Sequence, residues 1–190
     1  MFYPEKIKSP PCQTALKCAG HAGVGYNICR KRADRERDTS NMIRILFVCH
    51  GNICRSPMAE FVMKDLVDKA GLADAFEIAS AATSSEELGN PVYPPARRKL
   101  AEHGIGCAGK TARRLTADDY DEYDLLIGMD DANLRNMRRL FGGDPDGKCC
   151  LLLEYIGSTR GVADPWYTRD FEATWNDVYA GCKALLAALA

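Results

Sequence analysis

The sequence predicts an α/β fold, a three-layer sandwich in which a central four-stranded parallel sheet carries helices on both faces. Two observations lead to this prediction. From Met42 onward, short apolar runs typical of buried parallel strands alternate with amphipathic helical segments. Each strand–helix–strand repeat needs a right-handed crossover, so successive helices cover the sheet. Ligands in such folds bind beyond the carboxyl ends of the strands, and a site is expected at that edge.

Residues 1–41 are predicted to be a largely disordered extension of a domain that spans residues 42–190. They show no sustained strand or helix period and end in a polar, charged run. The net charge of the whole chain is only −1, which indicates neither nucleic acid nor an anionic membrane as a partner. The extension contains four zinc-ligand side chains whose spacing matches no common zinc finger, and we interpret them as scattered thiols rather than a metal site. These residues are Cys12, Cys18, His21 and Cys29.

The cysteine content predicts a cytoplasmic location. The chain has nine Cys and lacks the continuous apolar segment of a signal peptide at its N-terminus. This combination favours free thiols in a reducing compartment over a disulfide framework. No apolar run approaches the ~20 residues of a membrane-spanning helix, so no membrane insertion is expected.

The most informative stretch joins the first predicted strand, Ile43–Val48, to a helix predicted over Met58–Ala70. Ser56 suits the N-cap of that helix, and Pro57 suits its first turn, where a missing N–H costs nothing. A strand that breaks into a short loop and restarts as a helix leaves several N–H groups free at the helix N-terminus. The stretch therefore predicts an anion-binding loop.

Within this loop, Cys49 and Arg55 suggest a phosphate group held for attack by sulfur. The loop N–H groups, the helix N-terminus and Arg55 all favour the thiolate form of Cys49. The planar guanidinium can bind two phosphate oxygens at once, which a lysine cannot do. Gly51 lets the backbone pass close to the anion, and Asn52 tolerates a left-handed conformation. The Ser56 hydroxyl can hydrogen-bond the Cys49 sulfur.

The remaining elements continue the alternation, and glycine, proline or polar turns separate them. The predicted strands are Phe76–Ser80, Asp124–Met129 and Cys150–Tyr155. The predicted helices are Pro95–His103, Ala132–Phe141 and Asp170–Leu189. The predicted loops are Thr83–Pro95 and Gly157–Tyr167. The second of these loops follows the fourth strand, so it can lie at the same edge of the sheet as Cys49.

A phosphate ester also needs an acid that protonates its leaving oxygen. Asp164 is the best candidate, because it lies in the loop after the fourth strand and Pro165 restricts the backbone there. Trp166 and Tyr167 follow and provide a wall against which an aromatic ester can pack. As a general acid and base, Asp164 is expected to contribute ~10²–10⁴-fold to the rate.

Four segments together resemble the low-molecular-weight protein tyrosine phosphatases, and the similarity extends from Ile43 to Leu189. These segments are Val48–Pro57, Ser80–Ser84, Met129–Leu134 and Asp164–Tyr167. The resemblance implies the strand order 2-1-3-4 and hydrolysis of phosphotyrosine and small aryl phosphates through a cysteinyl-phosphate intermediate. It also implies catalysis without metal or cofactor. The expected partners are phosphotyrosine-containing proteins and a cognate tyrosine kinase.

The resemblance also implies a role for each matching residue. Cys49 matches the family's nucleophile, Arg55 its phosphate-binding arginine and Asp164 its general acid. Cys54 matches a second loop cysteine that can form a protective disulfide with the nucleophile under peroxide. The phosphate-binding residues are His50, Gly51, Asn52, Ile53, Cys54 and Arg55. The side chains that support the loop are Asn52, Ser56 and Ser80. The substrate wall is formed by Glu86, Trp166 and Tyr167.

Two positions depart from the family pattern. A histidine of the loop-supporting network is often found where this chain has Gly109, so we expect a support that is weaker or differently built. The wall opposite Asp164 often carries an aromatic side chain where this chain has Glu86. A carboxylate there removes a ring contact and favours substrates with basic flanks; the alternative is that Glu86 is a solvated loop residue. The side chain of His50 is expected to point to the rim of the pocket.

Three alternative functions remain open. The fold and loop also occur in protein-arginine phosphatases, where threonine is typical at the position of Ile53. Thiol-linked arsenate reductases share them too, but they need a further cysteine pair on a mobile segment. Cys107 stands alone, and the adjacent Cys149 and Cys150 are predicted to lie in the core. The run Gly104–Thr111 fits the Walker A pattern of nucleotide-binding proteins, although no strand precedes it and no apolar helix face follows.

Overall fold

The structure is a computed structural model of the chain and describes residues 42–190. The predictions for residues 1–41, a disordered extension with scattered thiols, lie outside the described residues. The regular elements are, in chain order, β1 (Ile43–Cys49), α1 (Arg55–Lys69), β2 (Phe76–Ala82), α2 (Pro94–Glu102), α3 (Asp119–Glu122), β3 (Leu125–Gly128), α4 (Asp131–Leu140), β4 (Cys149–Leu151), α5 (Pro165–Thr168) and α6 (Phe171–Leu189). Two 3₁₀ turns cover Ala73–Ala75 and Leu152–Ile156.

The strands form one parallel sheet in the order β2-β1-β3-β4, which confirms the predicted fold class and strand order. Alternation along β1 sends Leu46 and Val48 to the face covered by α4. They belong there to a buried cluster that includes Leu134 and Met137. Helix α1 packs on β1 and β2 and also contacts α6, so helices cover the sheet on both sides.

The fourth strand is shorter than the predicted Cys150–Tyr155, because it ends at Leu151 and the chain continues in the second 3₁₀ turn. An apolar run does not by itself distinguish a buried strand from a buried helical turn. Packing against α6 favours the helical turn over a longer strand here. A Cβ added to Gly181 of that helix would lie only 2.6 Å from Cγ of Leu152, so the glycine leaves the space that this turn fills.

Helix α1 begins at Arg55, earlier than predicted, and the N-cap assignment of Ser56 is wrong because this residue lies inside the helix. Cys54 occupies the N-cap position without a side-chain cap hydrogen bond. Pro57 lies in the first turn, as predicted.

Helices α3 and α5 have only four residues each, and segments that short show no period that a sequence could reveal. None of the helices between residues 42 and 190 is long and apolar enough to cross a bilayer.

The nucleotide-binding alternative for Gly104–Thr111 lacks the structural setting that it requires. This segment follows helix α2 rather than a strand, and Thr111 forms an isolated bridge with Pro91. The next helix, α3, does not begin until Asp119. A phosphate-cradling loop must leave a strand and open a helix, so this alternative is not supported.

Candidate active site

The β1–α1 loop runs from Cys49, the last residue of β1, to Arg55, the first residue of α1. Asn52 has a φ of 56°, the left-handed conformation that the sequence predicted it could adopt. This turn directs its backbone N–H toward the Cys49 sulfur, which accepts at 3.3 Å. A Cβ at Gly51 would lie 3.1 Å from Cγ of Glu87, so the loop passes close to a neighbouring segment at that point. The loop therefore curls around the sulfur.

Ser56 and Asn52 connect this sulfur to the protein interior. The Ser56 Oγ lies 3.0 Å from the Cys49 sulfur. The side-chain amide of Asn52 donates to Ser56 at 2.8 Å and to Ser80 at 2.7 Å. The hydroxyl hydrogen of Ser56 can be donated to the sulfur, because the other acceptor near it, the carbonyl oxygen of Ala81, is farther away at 3.5 Å. The structure thus brings together the three polar residues that were predicted to support the loop.

The support continues to three residues whose role sequence reasoning missed. Ser80 donates to a carboxylate oxygen of Glu60 at 2.6 Å, and Lys110 Nζ lies 2.9 Å from the same oxygen. Lys64 reaches the other oxygen at 2.6 Å. Although burial raises the pKa of Glu60, the bonds from Lys64, Ser80 and Lys110 hold it below its ordinary value. The support next to Gly109 includes Lys110, whose Nζ also donates to the carbonyl oxygen of Ser80 at 3.1 Å.

The guanidinium of Arg55 is almost completely buried and bridges two carboxylates. Nη1 donates to Asp130 at 2.6 Å, and Nη2 lies 2.6 Å from Oδ2 of Asp164. Burial lowers the pKa of Arg55, but the negative charges of Cys49, Asp164 and Asp130 raise it above its ordinary value. Asp130 is in turn fixed as the N-cap of α4, where it accepts from the backbone N–H of Asn133. The orientation of Arg55 is therefore set from α4.

Asp164 lies at the start of α5, as the N-cap residue of that short helix. Its Oδ1 accepts from the backbone N–H of Trp166 at 3.0 Å, and its Oδ2 pairs with Arg55. Pro165 occupies the first helical position, where the missing N–H is tolerated. The predicted loop thus contains a turn of helix that points the carboxyl group toward the β1–α1 loop.

A cleft of about 190 Å³ opens at the carboxyl end of β1 and collects most of the predicted site residues. It is lined by Cys49, His50, Gly51, Ile53, Cys54, Arg55, Glu86, Glu87, Asp164, Trp166 and Tyr167. Asn52, Ser56 and Ser80 lie buried behind it. Within residues 42–190, no group of three or more His, Cys, Asp and Glu side chains could hold a metal ion.

The rim of the cleft combines exposed aromatic and acidic side chains. Tyr167 is 83% exposed, and the Trp166 ring makes an edge contact with Tyr93, whose role the sequence did not reveal. His50 points to this rim, as expected, and its Nε2 lies 3.1 Å from a carboxylate oxygen of Glu86.

The cysteines divide into those at the cleft and those away from it. Cys54 is buried beside Cys49, and burial, followed by the charge of Cys49, raises its pKa to about 12. Cys107, Cys149 and Cys150 are buried and do not line the cleft. Cys149 and Cys150 lie in β4, which agrees with the prediction that they belong to the core.

The chain is similar to known proteins over nearly all of its described residues. The family model for low molecular weight phosphotyrosine protein phosphatase matches residues 44–190. The chain is 37% identical over 150 residues to the low molecular weight protein-tyrosine-phosphatase YfkJ of Bacillus subtilis, across 78% of this chain and 96% of that protein. The crystal structure of YfkJ aligns with a TM-score of 0.76 over 80% of this chain and 96% of that one.

Two further solved structures show the same architecture. The low molecular weight protein tyrosine phosphatase of Streptococcus pyogenes is 41% identical, with a TM-score of 0.71 over 78% of this chain and 94% of that one. The Drosophila arginine phosphatase is 29% identical, with a TM-score of 0.70 over 77% of this chain and 98% of that one. The chain therefore belongs to the low molecular weight phosphotyrosine protein phosphatase family.

Proposed function

We propose that this protein hydrolyses phosphotyrosine and small aryl phosphates through a cysteinyl-phosphate intermediate on Cys49. One observation carries the proposal: the sulfur of Cys49, the buried guanidinium of Arg55 and the carboxyl group of Asp164 line one cleft at the carboxyl end of β1. A nucleophile, a bidentate cation and an acid are the three groups that transfer of a phosphoryl group to sulfur requires.

In the first step, the Cys49 thiolate attacks phosphorus and the bond from phosphorus to the aryl oxygen breaks. The phosphate oxygens are held by the N–H groups of the β1–α1 loop and by Arg55, which neutralises their charge. Asp164 donates its proton to the departing phenol oxygen. The Asp164 carboxyl group contacts Arg55 at 2.6 Å, so an incoming phosphate competes with it for the same guanidinium.

In the second step, water attacks the cysteinyl phosphate while the Asp164 carboxylate removes a proton from that water. The sulfur–phosphorus bond breaks and the electron pair returns to Cys49 as a thiolate. The Ser56 hydroxyl, 3.0 Å from the sulfur, stabilises this leaving thiolate by a hydrogen bond to the charged form.

The rim favours an aromatic phosphoester over the alternatives. Trp166 and Tyr167 border the cleft and offer ring faces to a phenol. Ile53 is buried at its wall, and its methyl groups leave a guanidino phosphate without the hydrogen bond that a threonine could provide. We therefore propose phosphotyrosine rather than phosphoarginine as the substrate. The proposed partners are phosphotyrosine-containing proteins and a cognate tyrosine kinase.

We also propose a reducing cytoplasm as the location and a reversible oxidation of the site. The six cysteines of the described region are free thiols. Peroxide would oxidise the Cys49 thiolate to a sulfenic acid, and the peroxide would be reduced to water or hydroxide. Attack by Cys54 would then form the disulfide and release a second water. Both cysteines line the cleft, which supports this pairing.

Peroxide treatment followed by peptide mapping tests the oxidation. A Cys49–Cys54 peptide that reappears as two thiols after reduction is the expected result. Formation of a sulfonic acid on Cys49 without any bridge would contradict the protective role.

The activity is tested by turnover of phosphotyrosine, phosphoarginine and arsenate in parallel. We expect hydrolysis of phosphotyrosine without added metal, competitive inhibition by vanadate and a bell-shaped pH profile. The Cys49→Ser variant should bind vanadate or phosphate but should not turn over. Faster hydrolysis of phosphoarginine, or reduction of arsenate with thiols as the electron source, would favour the alternative functions.

A further inference from the structure

One turn of α6 holds both peptide groups of Ala163, the residue directly before Asp164. The Ala163 N–H donates to Oδ2 of Asp177 at 3.0 Å, and its carbonyl oxygen lies 2.9 Å from Oγ1 of Thr174. Thr174 and Asp177 are three residues apart, so they project from the same face of the helix. Thr174 is fully buried and Asp177 is 9% exposed, so water does not compete freely for these bonds.

The geometry of Thr174 favours its bond to Ala163. Its hydroxyl can donate only one hydrogen, and a second carbonyl oxygen, that of Asp170, lies 3.2 Å away. The Asp170 oxygen already accepts the backbone N–H of Thr174, as in any helix of this type. The nearer oxygen of Ala163 has no such helical partner, so it is the better acceptor.

Asp177 is itself fixed by Arg160, a residue of the same loop. The guanidinium reaches Oδ2 at 2.6 Å and Oδ1 at 2.5 Å. Burial raises the pKa of Asp177, but the bonds from Arg160 and Ala163 together lower it below its ordinary value. The carboxylate is therefore charged at neutral pH and binds the loop at two points.

The other side of the loop is fastened to the sheet. The N–H of Val162 donates to the carbonyl oxygen of Met129 at 2.7 Å, directly after β3. A Cβ at Gly161 would approach that carbonyl oxygen and Cβ of Asp130 to 3.0 Å, so a larger residue would require one of these neighbours to shift. The sheet sets the position of the loop, and α6 sets the direction in which the chain leaves it toward Asp164.

We propose that Thr174 and Asp177 are positioning residues for the reaction, because they fix the peptide that carries Asp164. This inference rests on the proposed role of Asp164 as the general acid. Neither residue touches the substrate. Their bonds hold the backbone from which the Asp164 side chain, paired with Arg55 in the structure, would reach the leaving oxygen. A displacement of about 1 Å there can cost up to about 100-fold in rate.

The test is the dependence of kcat/KM on the leaving group, measured with aryl phosphates from p-nitrophenyl phosphate to phenyl phosphate. A poor leaving group needs the proton of the acid, whereas p-nitrophenolate leaves without it. We expect Asp177→Ala and Thr174→Val to lose about tenfold with phenyl phosphate and about twofold or less with p-nitrophenyl phosphate. Thr174→Val keeps the side-chain volume and removes the bond to the Ala163 carbonyl oxygen, so it still tests how Ala163 is held if Asp177→Ala does not fold.

Glu172→Ala is the matched control, because Glu172 lies on the same helix but pairs with Lys99 of α2. It should leave the leaving-group dependence unchanged, and a steeper dependence in this control would overturn the inference. Asp164→Asn separates the two proposals. If Asp164→Asn steepens the dependence and the two α6 variants lose the same factor on every substrate, the positioning role is wrong and the acid stands. If Asp164→Asn also has no effect on the slope, the acid assignment itself fails.

Discussion

At the scale of single residues, the charge balance around Arg55 determines how the site can bind an anion. The buried guanidinium already faces the carboxylates of Asp130 and Asp164. Asp130 is committed to capping α4, whereas Asp164 sits on a short helix at the edge of the cleft. We therefore expect a phosphate dianion to replace Asp164 on the guanidinium while Asp130 keeps its place. In the proposed reaction, this exchange would bring the Asp164 carboxyl group beside the leaving group.

Replacement of Ser56 by Ala should slow the second step more than the first. The lost hydrogen bond stabilises the sulfur as a thiolate, and a bond to a charged group contributes about 1.5–3 kcal/mol, or about tenfold or more in rate. With p-nitrophenyl phosphate we expect kcat to fall, kcat/KM to change little and the cysteinyl phosphate to accumulate in a burst experiment. Ser158→Ala, a loop serine outside the cleft, is the control. Equal losses in kcat and kcat/KM without accumulation would contradict this role.

Replacement of Glu86 by Lys should change the preferred substrate. Glu86 and Glu87 make the rim acidic, so peptides with basic residues beside phosphotyrosine should be preferred. Because Glu86 is exposed, we expect only about a threefold to fivefold shift in kcat/KM toward acidic peptides, and salt should weaken it. Glu122→Lys, an exposed position on α3, gives the same change in net charge. An identical shift in both variants would show that net charge, and not the rim, sets the preference.

The catalytic candidates at this scale could be predicted because they lie in compact, ordered motifs. Cys49 and Arg55 flank one loop, and Asp164 follows the last strand and precedes proline. Glu60 and Lys110 could not be found in this way. A glutamate in a helix and a lysine in a loop resemble ordinary surface residues, and only the packing of α1 on β2 reveals that Glu60 is buried.

At the scale of elements, α1 serves both the site and the core. Its first residues are Arg55 and Ser56, and its next turn carries Glu60, which supports Ser80 on β2.

Helices and strands could be predicted from the sequence only where hydrophobic periodicity distinguishes them. The apolar strands and the long helices that alternate with them could be predicted from the sequence. The change from strand to 3₁₀ turn at Leu152 could not, because it depends on the space beside Gly181 of α6. Such a contact between distant elements leaves no local trace in the sequence.

Replacement of Glu60 by Gln should destabilise the fold at neutral pH but not in acid. The pKa of Glu60 is lowered in the folded state, so its stabilisation is complete above its unfolded pKa of 4.5 and disappears as the pH falls through the folded value. At pH 7 we expect a loss of about 3 kcal/mol in the free energy of unfolding, because Lys110 loses its buried partner. The difference from the parent should shrink below about pH 4.

Urea unfolding at a series of pH values measures this effect. Asp65→Asn removes an exposed pair with Lys69 on the same helix and should change the free energy of unfolding by about 0.5 kcal/mol or less. A difference between parent and Glu60→Gln that stays constant while the pH falls well below 4.5 would show that the carboxylate charge is not what stabilises the network.

At the scale of the whole molecule, the parallel sheet explains why the site is assembled from distant segments. The carboxyl ends of β1 and β3 lie side by side, which brings the Cys49 loop next to Asp130. The loop before α5 returns to the same edge and delivers Asp164. The fold class was predictable because repeated strand–helix alternation allows few topologies, and right-handed crossovers reduce them further.

A chain that begins at Met42 should fold and retain activity. The family match starts at residue 44, and the cores and the cleft lie within the described residues. We expect the same midpoint of thermal unfolding and the same kcat/KM for p-nitrophenyl phosphate as for the full chain. A lower midpoint or a lower kcat/KM in the shortened chain would assign residues 1–41 a role in folding or catalysis.

The most direct test of the account is to trap the phosphoryl group on sulfur. In Asp164→Ala, p-nitrophenyl phosphate should still complete the first step, since its leaving group needs no acid, while the second step lacks its base. Rapid acid quench and peptide mapping should then find one phosphoryl group on Cys49. A phosphoryl group on another residue, or release of phosphate in a burst without any covalent adduct, would contradict the central claim.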